Sequence, residues 1–135
     1  MERGERERLP NRRPGTETVK LHIPDDGVHG PFTVYLGLNQ YPDGRPAEVF
    51  MNAAKEGNLI RGLLDDLARV ISFALQHGTP PEAIVRALAN GRYGASGVIP
   101  EAPELGAVTS PLDAVVRLFA QASGLTVPEP VEPVR

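Results

Sequence analysis

The 135-residue sequence has no cysteine. That excludes disulfides, thiolate metal sites and any thiol redox chemistry carried by this chain itself. Histidine is scarce: His22, His29 and His77 are the three present, and no two have the i, i+4 spacing of a ligand doublet on one helix. Asp25 and Asp26 near His29 allow a metal site to be imagined, but scattered surface or loop histidines account for the pattern, and no metal is expected. Long apolar runs are also missing. None approaches the ~20 residues of a membrane span, and the charged N-terminus lacks the apolar core of a signal peptide. The expectation is a soluble, cytoplasmic protein without membrane contact. Nor is there an excess of positive charge: the formal net charge is −3, so a nucleic-acid partner is not expected.

What is present is ordinary for one small domain. Hydrophobic residues make up 41% and charged residues 23%, enough for one modest core. Fourteen glycines and fourteen prolines cluster outside the periodic segments. Residues 1–16, MERGERERLPNRRPGT, alternate Arg and Glu without apolar period and read as a flexible charged arm. Such an arm is either a solvated tail or a docking strap for a larger partner. Residues 17–124 read as a single domain. Residues 125–135 carry the proline-spaced VPEPVEPVR and read as an extended tail.

Within the domain, three stretches alternate. Thr18 to Ile23 puts Val19, Leu21 and Ile23 on one face, and Phe32 to Leu38 does the same with Phe32, Val34, Leu36 and Leu38. Asp43-Gly44 marks a turn, with Gly44 at positive φ, before a third strand from Ala47 to Asn52. Helical periodicity follows. Asn58 is the expected N-cap of LIRGLLDDLARVISFALQH, with Gly78 as its left-handed stop. Its apolar positions are Ile60, Leu63, Leu64, Leu67, Val70, Ile71, Ala74 and Leu75, and Arg61, Asp65 and Arg69 form ion-pair spacings opposite. Thr79-Pro-Pro-Glu82 predicts a capped second helix, PEAIVRALAN, ended by Gly91. Ser110-Pro-Leu-Asp113 predicts a third, ended by Gly124. Residues 91–109 read as irregular. The fold class is α+β: a three-stranded antiparallel meander followed by three helices packed on one face. An uncovered sheet edge would make homodimerisation through the sheet a candidate.

Catalytic patterns are lacking. Asp65 and Asp66 are adjacent on one helix, about 100° apart, and cannot share a proton as a dyad. Ser72, Ser96, Ser110 and Ser123 sit in no nucleophile-elbow pattern, and Ser110 reads as a cap. Two weaker binding signals remain. Lys55, Gly57 and Asn58 stand where the third strand passes into the long helix, where unpaired N–H groups could meet an anion; a turn that lets strand and helix pack is the simpler reading. Arg92 and Tyr93, in the loop GRYG, could stack on or clamp a base. No catalytic residue is assigned.

Taken in order, RERLPNRRPG, DGRPAEVFMNAAKEGN, LLDDLARVISFALQHGTPPEAIVRAL, RYGASG and TSPLDAVVRLF resemble the TSCPD domain over about residues 6 to 120. That domain is found near the C-terminus of adenosylcobalamin-dependent (class II) ribonucleotide reductases and as free-standing proteins. Where the family's naming motif has Thr-Ser-Cys-Pro-Asp, this sequence reads Thr109-Ser110-Pro111-Leu112-Asp113. The cysteine is absent and the proline has moved by one, while the helix-start logic of Ser110 and Asp113 survives. The resemblance implies an accessory domain in ribonucleotide reduction, a ribonucleoside-diphosphate reductase system serving DNA synthesis, not catalytic on its own. It implies a class II reductase large chain as partner, with adenosylcobalamin on that partner only. The competing reading is a protein-interaction or small-anion, nucleotide-binding module outside reductase activity.

Overall fold

The computed structural model describes residues 5–8, 17–24, 27, 31–53 and 57–127. The expectations for Asp25, Asp26, His29, Lys55, most of the arm and the end of the tail fall outside these residues. Strands β1 (Glu17–Ile23), β2 (Phe32–Gln40) and β3 (Pro46–Ala53) form an antiparallel sheet in sequence order. The register pairs Leu21 with Val34 and Leu36 with Met51. These alternating residues point to one side, where Leu21, Ile23, Val34, Val49 and Met51 are buried. Gly44 takes φ +93° in the β2–β3 turn, as the Asp-Gly pair predicts.

Three helices cover that side. Helix α1 (Asn58–Gln76) lies over β3, α3 (Pro111–Ala122) touches β1 and β2, and α2 (Pro81–Leu88) packs on α3. The expected fold is the observed one. Residues 91–109 are more ordered than their composition suggests. They hold a two-stranded hairpin, β4 (Gly97–Val98) with β5 (Ala107–Val108), and a short 3-10 turn at Pro103–Leu105.

Helix boundaries depart from expectation where local chemistry differs. The N-cap of α1 is Gly57, in extended conformation, with no capping side chain; Asn58 is the first helical residue. The carbonyl of Gly57 accepts the first helical N–H, from Arg61 at 3.1 Å. Thr79 does not cap α2: Pro80 is the N-cap and Pro81 the first residue. Gly91 does not end α2 either. Ala89 is already extended, and Asn90 turns the chain at φ +65°, a conformation asparagine tolerates because its short amide can bond locally. Gly78 and Gly124 end α1 and α3 at positive φ as expected.

The sheet edges are closed by side chains. On β3, Ser72 Oγ accepts the N–H of Val49 at 2.9 Å and donates to the carbonyl of Ala68 or Val49, and Gln76 Nε2 donates to the carbonyl of Ala47 at 3.0 Å. Helix α1 therefore covers the outer edge of β3, which removes that edge from strand pairing with another chain. Replacing Ser72 by Ala should lower stability by about 1–3 kcal/mol, since a buried edge amide loses its acceptor. Chemical denaturation would read this as a shifted midpoint with unchanged slope.

The β1 edge is closed at His22, whose N–H donates to Glu101 Oε1 at 2.9 Å while its Nδ1 meets Glu101 Oε2. Desolvation alone would raise the pKa of Glu101, but the bonds from His22 outweigh it and hold the value below the ordinary 4.5. A depressed carboxylate pKa contributes stability above the unfolded value, and that contribution is lost as pH falls through the folded value. Glu101→Gln should therefore cost stability near neutrality and progressively less below pH 4.5. Parallel denaturation curves for parent and variant at falling pH would test this, and a constant difference would contradict it.

Candidate functional site

The densest polar construction surrounds the stretch Thr109–Asp113. Ser110 is the N-cap of α3, and its Oγ accepts the N–H of Asp113 at 3.1 Å. The Asp113 carboxylate is fully buried. It accepts three N–H groups: Asn90 N at 2.7 Å, Thr109 N at 2.9 Å and Arg117 Nε at 2.9 Å. Arg117 spreads its remaining donors to the Leu105 carbonyl at 3.0 Å and Asn90 Oδ1 at 3.1 Å. One ion pair thus ties the end of α2, the 3-10 turn and the start of α3 together. Burial of a carboxylate is tolerated because every partner is a donor and one is cationic. The sequence reading of Ser110 as a cap holds. It missed that Asp113 reaches beyond its own helix, and that Arg117, one turn on, completes the clamp. The Asp–Arg spacing of i, i+4 was a visible signal for that pair.

The clamp supports the loop that carries Arg92 and Tyr93. Thr109 Oγ1 donates to the carbonyl of Gly91 at 2.7 Å. This bond joins the loop after α2 to the turn before α3. Arg92 and Tyr93 line a cleft of about 390 Å³ whose other walls include Gly94, Gly97, Val108 and Thr109. The second sequence candidate lies elsewhere, at the start of α1. Gly57 and Asn58 are exposed there, with no acidic residue in the first turn. Lys55 lies outside the described residues.

Other polar candidates have structural partners. Asp65 bonds Arg69 at 3.1 Å on the exposed side of α1, and Ser72 serves the β3 edge. Among the described residues no grouping of three or more His, Cys, Asp or Glu could hold a metal ion. Nor is any helix of the described residues long and apolar enough to cross a membrane.

Part of the N-terminal segment is tied to the domain. Glu7 N donates to the Gln76 carbonyl at 2.7 Å, Arg6 Nε donates to Gln76 Oε1 at 2.7 Å, and the Arg6 guanidinium lies 4.7 Å from the Phe73 ring centre. Arg45 bonds both Glu7 at 2.9 Å and Asp43 at 2.7 Å, beside the Tyr41 ring.

The second unexpected feature is the outer face of α1. Leu64, Ala68, Ile71 and Leu75 form its buried face. Yet Leu59 (73% exposed), Leu63 (57%), Val70 (64%) and Phe73 (51%) stand on the opposite face. The sequence reading pooled Leu63 and Val70 with the core stripe; the structure turns them outward. The helix is therefore apolar on both faces, the outer one largely in water, with Arg6 resting over Phe73 at one end of it.

A three-stranded meander with three helices on one face and no catalytic cluster among its described residues defines a small α+β domain. A profile of the TSCPD domain matches residues 7–123, and the chain belongs to that family. Relatives share its sequence over part of their own length. A vitamin B12-dependent ribonucleotide reductase of Rhodopirellula baltica is 42% identical over 88 residues, 65% of this chain and 8% of that protein. The enzyme of that name in Agrobacterium fabrum is 36% identical over 116 residues, 86% of this chain and 9% of the other. In Streptantibioticus cattleyicolor a protein of the same name is 32% identical over 115 residues, 85% of this chain and 18% of the other. The matched region thus spans less than a fifth of the length of these relatives. No solved structure matches.

Proposed function

We propose that this chain is an accessory domain of class II ribonucleotide reduction, noncatalytic by itself, that seats on the catalytic body of a reductase in the cytoplasm. The observation that carries this reading is the match of 86% of the chain to 9% of a B12-dependent reductase. In such a relative the domain has a large neighbouring body. The outer face of α1 is the surface we assign to that contact. Leu59, Leu63, Val70 and Phe73 supply apolar area, and Asp66 lies among them on the same face by helical spacing. A symmetric antiparallel pairing of two copies centred on this stripe would set Asp66 against its own copy, which disfavours self-association there. A reductase surface that is apolar with a basic residue opposite Asp66 fits better.

Adenosylcobalamin belongs to the reductase body in this reading. The clefts beside α1 and between sheet and α3, of about 570 and 310 Å³, are mainly apolar and offer no match to an amide-rimmed corrin. No step is assigned to the cofactor in this chain. The test is capture of the tagged chain from its own host, read by mass spectrometry. Recovery of a B12-dependent reductase polypeptide is the expected result. Recovery of the bait alone, or of unrelated proteins, would overturn the reading.

A further inference from the structure

We propose that the cleft between the Arg92–Tyr93 loop and the β5–α3 turn is a binding site for a nucleoside phosphate, with Tyr93 taking the base and Arg92 the phosphate. The proposal stands on the walls of the cleft and does not depend on where the domain docks.

The first observation is an unspent cation. Among the described residues Arg92 is the one charged group on the cleft wall. It is exposed, and no ion pair or side-chain hydrogen bond within the described residues occupies its guanidinium. The nearby carboxylate of Asp113 is already committed to Arg117, Thr109 and Asn90, so it does not cancel the charge of Arg92. A guanidinium presents a planar fork that suits phosphate oxygens.

The second observation is a seated aromatic ring. Tyr93 is 57% exposed, so more than half of its surface is open to a partner. Its ring is nevertheless placed rather than loose. A Cβ added to Gly91 would lie 3.1 Å from Tyr93 Cε1, so the ring rests against the bare backbone of Gly91. That leaves other ring surface open to a stacking partner.

The third observation is that the loop is built. Thr109 holds Gly91 through its hydroxyl, and Thr109 is itself held by Asp113. At the other end Gly97 has φ +132°, and an added Cβ there would sit 2.5 Å from Pro24 Cγ. Only glycine permits that approach of β4 to the end of β1. Both ends of the loop are therefore anchored, which reduces the ordering cost of binding. The volume, about 390 Å³, falls within the range of small-molecule sites. A cation beside an open aromatic ring selects a ligand with a flat ring and an anionic group. Nucleoside phosphates are an abundant soluble class that combines both.

The experiment is isothermal calorimetry on the full chain with ADP, adenosine and inorganic pyrophosphate as probes. ADP should bind best, because it alone meets both groups. Arg92→Ala should weaken ADP by about tenfold, as expected for loss of a charge-assisted contact, and leave adenosine unchanged. Tyr93→Ala should weaken ADP and adenosine by about five- to tenfold, the size of a lost stacking contact, and leave pyrophosphate unchanged. Tyr93→Phe should retain stacking and bind ADP like the parent. Both side chains are exposed, so unchanged melting curves will show that the variants are folded. Absence of ADP binding at millimolar concentration would overturn the proposal. So would ADP binding that neither alanine variant alters.

Discussion

Asp113→Asn should lower the melting temperature by roughly 10–20 °C, the equivalent of about 3–5 kcal/mol for a buried pair broken on one side. The carboxylate of Asp113 is fully buried and meets donors at both oxygens: Asn90 N on one, Thr109 N and Arg117 Nε on the other. An amide of the same shape must point its own NH₂ at one of these sets, so donor faces donor. Arg117 then keeps its charge in a partly buried place without its anion. The loss propagates, because Asn90 sits in a left-handed conformation that its N–H bond to Asp113 helps hold. Thermal unfolding by circular dichroism checks the magnitude. A double-mutant cycle with Arg117→Met separates the pair from its surroundings, since that variant lacks the charge that Asp113→Asn strands. A single-variant drop of only a degree or two would mean that the clamp is not what joins α2 to α3.

The double variant Leu63→Glu, Val70→Glu should leave the fold intact and abolish docking. Both side chains are mostly in water and on the far side of α1 from the core, so stability should change by no more than about 0.5 kcal/mol per site. Two carboxylates placed in an apolar contact must be desolvated without partners, and the expected loss of affinity for a reductase body is about a hundredfold or more. Surface plasmon resonance against the reductase, with melting curves as the fold control, reads both numbers. If the double variant binds as tightly as the parent, the contact lies on another face. The open side of the sheet, where Lys20 lies over the Tyr35 ring and Phe50 is half exposed, would be the next candidate.

The strands were legible because period-two alternation has a single physical meaning when one face is buried. Leu21, Val34, Leu36, Val49 and Met51 all fall where alternation sets them. Helix α1 was legible as a helix but not as a surface. Leu63 and Leu64 are neighbours in sequence and about 100° apart around the helix, and apolar spacing alone does not say which of two apolar faces meets the sheet. The polar residues Ser72 and Gln76 complete the inner face because the edge of β3 presents backbone groups there, a fact of tertiary packing that no local pattern carries. The hairpin of β4 and β5 is two residues a side, too short for any periodicity to reveal. At the candidate cleft, Arg92 and Tyr93 could be singled out by residue type. The wall that makes them a site comes from Thr109, whose hydroxyl bonds the Gly91 carbonyl eighteen residues earlier. The shortened capping pattern at Ser110 and Asp113 announced a helix start; its long-range half, through Asn90 and Arg117, became visible only when the two helices were side by side.

The proposed role depends on docking to a class II reductase. The measurement that tests it most directly is calorimetric titration of the chain into the purified B12-dependent reductase polypeptide of its own host. Saturable binding at one domain per reductase chain, lost in the Leu63→Glu, Val70→Glu variant, is the expected result. A flat titration at protein concentrations where the parent is folded would contradict it.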